Sequence, residues 1–170
     1  IYFDNANTAQ KPAAVIEAVD RFYRNSNANV ARAVHTLGDE ATTAYEASRD
    51  ALARFVNASS RDEIVLTSGT TQAINLVAYS HALPRLQPGD SILLTQMEHH
   101  ANIVPWHFHR ERKGCVLKWA PMSDSGEFLI EEFERLLGPK TRMVAITHMS
   151  NVLGTVTPIK EIIRLAHAKG

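Results

Sequence analysis

Three short stretches of this chain carry side chains suited to holding a flat, anionic molecule. In Ser68-Gly69-Thr70-Thr71 two hydroxyls stand beside a glycine just ahead of a helical pattern. The free N–H groups and dipole of a helix start favour an anion. Gly69 lets the backbone approach a ligand closely, and Thr70 and Thr71 add donors for phosphate oxygens. The same residues also make an ordinary helix cap, and the Lys and glycine spacing of a Walker loop are absent, so a nucleoside triphosphate is not indicated.

The second stretch runs Met97-Glu98-His99-His100-Ala101-Asn102-Ile103-Val104-Pro105-Trp106. The imidazole of His99 is able to stack on a planar ligand or to move a proton, and Asn102 is able to bond a polar group beside it. His99, His100, His107 and His109 fall within 11 residues, which raises the question of a metal. The spacing argues against one: His107 and His109 point apart on a helix, no Cys or spaced Asp joins them, and no His-Glu-x-x-His pattern is present. The third stretch is His148-Met149-Ser150-Asn151-Val152-Leu153-Gly154. Asn151 is a neutral donor suited to a phenolate or carboxylate oxygen, and equally a turn former beside Gly154.

The elements around these stretches alternate. Apolar spacing predicts helices over 12–25 and 39–57, with Pro12 in the first turn of the former. Short apolar, β-branched runs predict strands over 63–67, 91–95, 115–119 and 142–147. Helices are predicted between and after them, over 70–81, 101–112, about 129–137 and 159–169. Strands without polar alternation, each followed by a helical crossover, make an α/β fold with a mostly parallel sheet covered on both faces. In such a sheet ligands sit beyond the carboxyl ends of the strands, which is where Thr67, Thr95 and Thr147 lead into the three stretches.

The 170 residues are 45% apolar and 21% charged, an ordinary globular composition that excludes collagenous, low-complexity and disordered classes. Eighteen basic side chains balance eighteen acidic ones, so no global field draws nucleic acid. Cys115 is the one cysteine and forms no intrachain disulfide, and neither a membrane span nor a signal-peptide pattern is present. A reducing, cytoplasmic setting without a membrane partner is the expectation. The sequence opens in mid-pattern at Ile1-Tyr2-Phe3-Asp4-Asn5 and stops on a helical pattern at Gly170, which reads as a chain cut at both ends.

Together the three stretches resemble the N-terminal part of a cysteine desulfurase of the SUF type, in the class V aminotransferase family of fold-type I pyridoxal-phosphate enzymes. The resemblance spans the whole chain. It rests on Tyr2-Phe3-Asp4-Asn5-Ala6 with Gln10-Lys11-Pro12, on Gly69-Thr70-Thr71-Gln72-Ala73-Ile74-Asn75, on Glu98 to Trp106 and on Thr147 to Gly154. The run from Glu98 to Trp106 is the most specific of these. The resemblance implies a pyridoxal 5'-phosphate cofactor, bound through its phosphate by Thr70 and Thr71, stacked on by His99 and bonded at its ring oxygen by Asn151. His99 is also implied as a catalytic residue that assists proton transfer. The chain then reads as an arm and first helix over 1–38, followed over 39–170 by part of the cofactor-binding large domain, truncated at its C-terminal end.

The implied reaction takes the sulfur of L-cysteine as an enzyme persulfide, releases L-alanine and passes sulfur to an acceptor protein for iron–sulfur cluster assembly, with a homodimer as the intact form. The family's ring-nitrogen Asp, Schiff-base Lys and persulfide Cys are implied to lie beyond Gly170, so this piece alone is expected to be inactive. Cys115 matches no family nucleophile and reads as a small buried apolar residue. Asn29-Val30-Ala31-Arg32-Ala33-Val34-His35 stands where the family has Asn-Val-His-Arg-Gly-Val-His, and Ser68 stands where it has Arg. These departures leave the cofactor contacts in place and bear on the substrate. Selenocysteine or cysteine sulfinate as substrate, another class V activity (aminotransferase, epimerase or kynureninase-like lyase) and a non-catalytic binding module are the alternatives.

Overall fold

Ser91–Thr95 (β1) is the strand around which the second half of the chain is built. It lies at the centre of a three-stranded sheet of order β2-β1-β3, with Val116–Ala120 (β2) and Thr141–Val144 (β3) both parallel to it. The computed structural model describes residues 1–169. By internal packing they form one unit over Ile1–Leu66 and a second beginning at Thr67.

In the second unit the two-residue period of β1 divides the core. Ile92 and Leu94 face one side, packed with Ala78, Ala82, Leu86, Trp106 and Cys115. Leu93 faces the other, packed with Ala120, Phe133, Leu137, Ile162 and Leu165. Ile92, Leu93 and Leu94 are all 0% exposed, so β1 reads as an unbroken apolar run because both its faces are covered. The covering helices are Thr70–Leu76 (α3), Leu83–Arg85 (α4) and Val104–Lys113 (α5), then Ile130–Leu136 (α6) and Ile159–His167 (α7). Gly114 ends α5 at φ +67, and its carbonyl accepts the Gly89 N–H at 2.9 Å, which fastens the entries of β1 and β2 together. Among the described residues no helix is long and apolar enough to cross a membrane.

Two predicted helices are broken where proline intervenes. The run over 70–81 is α-helical only to Leu76 and then widens into a π-turn, Val77–Ala82, whose Ala78 carbonyl accepts the Leu83 N–H. Pro84 has no N–H to give the Ser80 carbonyl and its ring crowds that position, so the wider turn relieves the clash. The helix predicted over 101–112 is a 3₁₀ turn, His100–Asn102, followed by α5, with Pro105 in the first turn of α5.

The predicted strand at 63–67 is not a strand. Arg61–Glu63 is a 3₁₀ turn, and the residues after it join no ladder. Ile64 is extended (φ −97, ψ 113), but its carbonyl accepts Arg49 Nε at 3.2 Å. Val65 is 65% exposed. A strand exists only beside another strand, and this stretch has none among the described residues. The strand predicted over 142–147 is likewise shorter: the ladder closes at Val144, with Ala145 N–H still donating to the Leu93 carbonyl at 3.0 Å.

In the first unit, Ala13–Asn25 (α1) follows Pro12, which is the extended cap rather than part of the first turn, and buries none of its residues. Thr36–Val56 (α2) begins three residues earlier than the spacing predicts, because His35 Nδ1 accepts the Gly38 N–H at 3.1 Å and caps it. A Cβ on Gly38 would stand 2.1 Å from that of Ala33, so the close approach there requires glycine. Ala31 and Arg32 are left-handed (φ 60 and 55), a conformation costing roughly 1–2 kcal/mol for each non-glycine residue. Ala31 N–H is held in it by Thr42 Oγ1 at 3.0 Å.

Candidate functional site

The Thr70 stretch begins α3. Its first backbone bond runs from Ala73 N–H to the Gly69 carbonyl at 3.1 Å, so the Thr70, Thr71 and Gln72 N–H groups have no partner among the described residues. The Thr70 and Thr71 hydroxyls have none either, and both residues are exposed. Space around Gly69 is open, with nothing within 4 Å of where a Cβ would stand. The turn is nevertheless fixed: Gln72 Oε1 accepts both the Ser68 N–H at 2.7 Å and the Ser68 hydroxyl at 2.8 Å. Three N–H groups and two hydroxyls on an ordered turn fit the donor needs of a phosphate dianion.

His99 follows the end of β1 and is exposed. Its Nδ1 accepts the Ala101 N–H at 3.1 Å, capping the 3₁₀ turn. A ring nitrogen that accepts carries no proton, so the neutral ring has its proton on Nε2, and the capping bond holds the ring in one orientation. The 3₁₀ turn packs against α3, which brings the His99 turn and the Thr70 turn to the same end of the unit.

Asn151 sits at the tip of a tight turn. Gly154 N–H donates to the Ser150 carbonyl and Ser150 N–H to the Thr155 carbonyl, each at 2.9 Å, with Gly154 at φ +73. Ser150 Oγ accepts from the Val152 and Leu153 N–H groups, and an antiparallel bridge of Met149 to Val156 closes the base. The Asn151 amide is exposed and unbonded among the described residues. The turn is joined to the end of β1 through one carboxylate, because Thr147 N–H donates to Glu98 Oε1 at 2.9 Å.

The other three histidines of the run from His99 to His109 have different surroundings. His109 is 0% exposed, its ring edge-on to Trp106 and to Tyr79, with Nε2 donating to the Ala78 carbonyl at 2.7 Å. His107 is half-buried beside Trp119, and His100 is exposed. Asn102 is not free for a ligand: Nδ2 donates to Glu98 Oε2 at 2.8 Å and Oδ1 accepts Trp106 Nε1–H at 3.1 Å. Cys115 is 3% exposed, and burial pushes its thiol above the ordinary value, which leaves it protonated and unreactive at neutral pH. Gln72 and Glu98 were given no role by sequence reasoning. Gln72 follows Ser68 by one helical turn, a faint signal, whereas nothing in the spacing announces that Glu98 reaches Thr147.

The profile of the aminotransferase class-V family matches residues 1–170. A probable cysteine desulfurase of Xylella fastidiosa (strain 9a5c) is 59% identical over 170 residues, which is all of this chain and 41% of that protein. The solved structure of the Escherichia coli cysteine desulfurase CsdA superimposes with a TM-score of 0.86 at 40% identity, over 99% of this chain and 42% of that one. The apo cysteine desulfurase from Thermococcus onnurineus NA1 superimposes at 0.94 and 36% identity, over 100% of this chain and 42% of that one. This chain thus spans about two fifths of the relatives named here, and across all of its length it belongs to the class V aminotransferase family.

Proposed function

We propose that the whole protein containing this chain is a pyridoxal-phosphate-dependent cysteine desulfurase of the SUF type. It takes sulfur from L-cysteine as an enzyme persulfide, releases L-alanine and hands the sulfur to an acceptor protein for iron–sulfur cluster assembly, working as a cytoplasmic homodimer. The observation that carries the reading is that Thr70, Thr71 and Asn151 stand on tightly bonded turns while their own side chains have no partner among the described residues. Polar groups fixed in place and not used by the protein itself suit the recognition of a ligand.

Pyridoxal phosphate, when bound, supplies an electron sink for breaking bonds at the carbon beside the amino group. Thr70 and Thr71 bind the phosphate with their hydroxyls and with the free N–H groups of the helix start. Asn151 Nδ2 donates to the ring oxygen. His99, whose ring is oriented by the bond from Ala101 N–H to Nδ1, would stack on the ring and would hold or move a proton at Nε2.

The test is made in the whole protein. Wild type is expected to take up pyridoxal phosphate with an absorbance band and to release alanine from cysteine. Thr70→Val/Thr71→Val is expected to weaken cofactor binding by about a hundredfold, at roughly tenfold per lost charge-assisted bond. His99→Ala is expected to lower kcat by about 10²–10³-fold. The chain of residues 1–170 alone is expected to release no alanine. Whole protein that takes up no cofactor overturns the reading, and the same assay with selenocysteine and cysteine sulfinate reads the substrate.

A further inference from the structure

Glu98 precedes His99, yet it bonds inward where His99 is exposed. Oε1 accepts from the Thr95 hydroxyl at 2.6 Å and from the Thr147 N–H at 2.9 Å, and Oε2 accepts from Asn102 Nδ2 at 2.8 Å. Asn102 in turn accepts from Trp106 Nε1–H at 3.1 Å, and Trp106 is 2% exposed in the core. Every bond in this chain points the same way, from buried tryptophan through asparagine to carboxylate, so the acceptor at its end fixes the direction of all the rest. Thr147 is three residues past the last ladder residue of β3, and its backbone N–H goes to this side chain rather than to a strand. From Thr147 the chain leads directly into the Asn151 turn, whose returning segment is tied back by Thr157 Oγ1 donating to the Thr147 carbonyl at 2.9 Å.

We propose that Glu98 is a positioning residue that sets the spacing between His99 and Asn151, so that both meet one planar ring. The inference rests on the cofactor reading above. A single carboxylate joins the turn that carries His99 to the loop that carries Asn151 across 49 residues of sequence, and it does so between the ends of two neighbouring parallel strands. Glu98 itself has both oxygens occupied by the protein and touches no ligand in this scheme.

The direction of the bonds supplies the test. In Glu98→Gln the new amide keeps one oxygen for Thr95 and Thr147 but turns an NH₂ toward the NH₂ of Asn102. Turning Asn102 round to receive it then sets NH₂ against Trp106 N–H. Asn102→Asp fails the opposite way, by facing two carboxylates. The double variant Glu98→Gln/Asn102→Asp restores a donor for every acceptor, with the charge moved to residue 102.

In the whole protein each single variant is expected to weaken pyridoxal-phosphate binding about tenfold or more, to shift the absorbance band of the bound cofactor and to speed exchange of the Thr147 amide in the cofactor-free form. The double variant is expected to return all three to near wild type, within about threefold for the affinity. Singles with wild-type affinity and band overturn the inference while leaving the cofactor reading intact, as does a double variant no better than the singles. If Glu98→Gln fails to fold, the double variant still decides, since restored folding and binding support the proposal and their absence overturns it. Wild-type protein that takes up no cofactor overturns the functional reading itself, and this inference with it.

Discussion

Glu63–Thr67 and Ser91–Thr95 look alike as sequence, each a five-residue run of mostly apolar residues ending in threonine, and they have opposite fates. The second is the central strand of a sheet, with its middle three residues wholly covered. The first joins no ladder, and its Ile64 carbonyl is taken by an arginine. Composition reports that a run is able to be a strand, while only a partner makes it one. Ser91–Thr95 finds neighbours on both sides because β2 and β3 follow in sequence, each returned beside it by a helical crossover.

The largest effect that tests this difference comes from truncating each run. Leu93→Ala empties a site with 0% exposure against Phe133 and Ile162, and is expected to cost about 2–5 kcal/mol of stability. Val65→Ala, at 65% exposure, is expected to stay within about 0.5 kcal/mol. Denaturant unfolding of both variants of the 170-residue chain reads the gap. Equal losses would mean that the 63–67 run is packed as a strand after all. The same pair in the whole protein sharpens the point, because a loss at Val65 appearing only there would identify a strand partner outside residues 1–170.

The elements that were legible in the sequence are those whose cause is local. The β1 strand and the helical crossovers follow from periodicity within a few residues of each. The π-turn at Val77–Ala82 was not legible as a helix register, since its cause is a proline meeting a carbonyl four residues back inside an otherwise good helical pattern. In the candidate site the exposure of Thr70, Thr71, His99 and Asn151 was legible from their polar types and their place beside turns and a helix start. What holds those turns was not. The bond from Thr147 to Glu98 spans 49 residues, and no spacing rule within one element reaches that far.

A middle-sized effect is expected at His109. Its Nε2–H donates to the Ala78 carbonyl, as does Leu83 N–H, while its Nδ1 is buried without a partner among the described residues. His109→Leu keeps most of the volume, removes one hydrogen bond and removes the unpartnered nitrogen as well. The two changes offset, and the net loss is expected to be about 1 kcal/mol, well below that of Leu93→Ala. Because the carbonyl keeps its backbone donor, the π-turn is expected to persist, which amide exchange at Leu83 checks. A loss as large as that at Leu93 would show that the ring, rather than Pro84, holds the wide turn in place.

An effect on stability alone is expected at Cys115, which lies on the same face of the sheet as Ile92 and Leu94. Burial raises its thiol above the ordinary value, and the Asp90 carboxylate adds to this, while a backbone hydrogen bond and Arg110 oppose it. The folded chain therefore holds this proton more tightly than the unfolded one. The stability that follows is whole below the unfolded thiol's value of about 8.5 and is lost as pH rises from there through the raised folded value. Cys115→Ala is expected to flatten that alkaline decline at a cost of about 1 kcal/mol near neutrality. Alanine release by the whole protein is expected to be unchanged, because a protonated thiol covered on the sheet face lies outside the three exposed turns that carry Thr70, His99 and Asn151. A thiol reagent is expected to modify Cys115 only as fast as the chain opens. Rapid labelling of the folded protein would put Cys115 among the accessible residues and remove the distinction between core and site at that position.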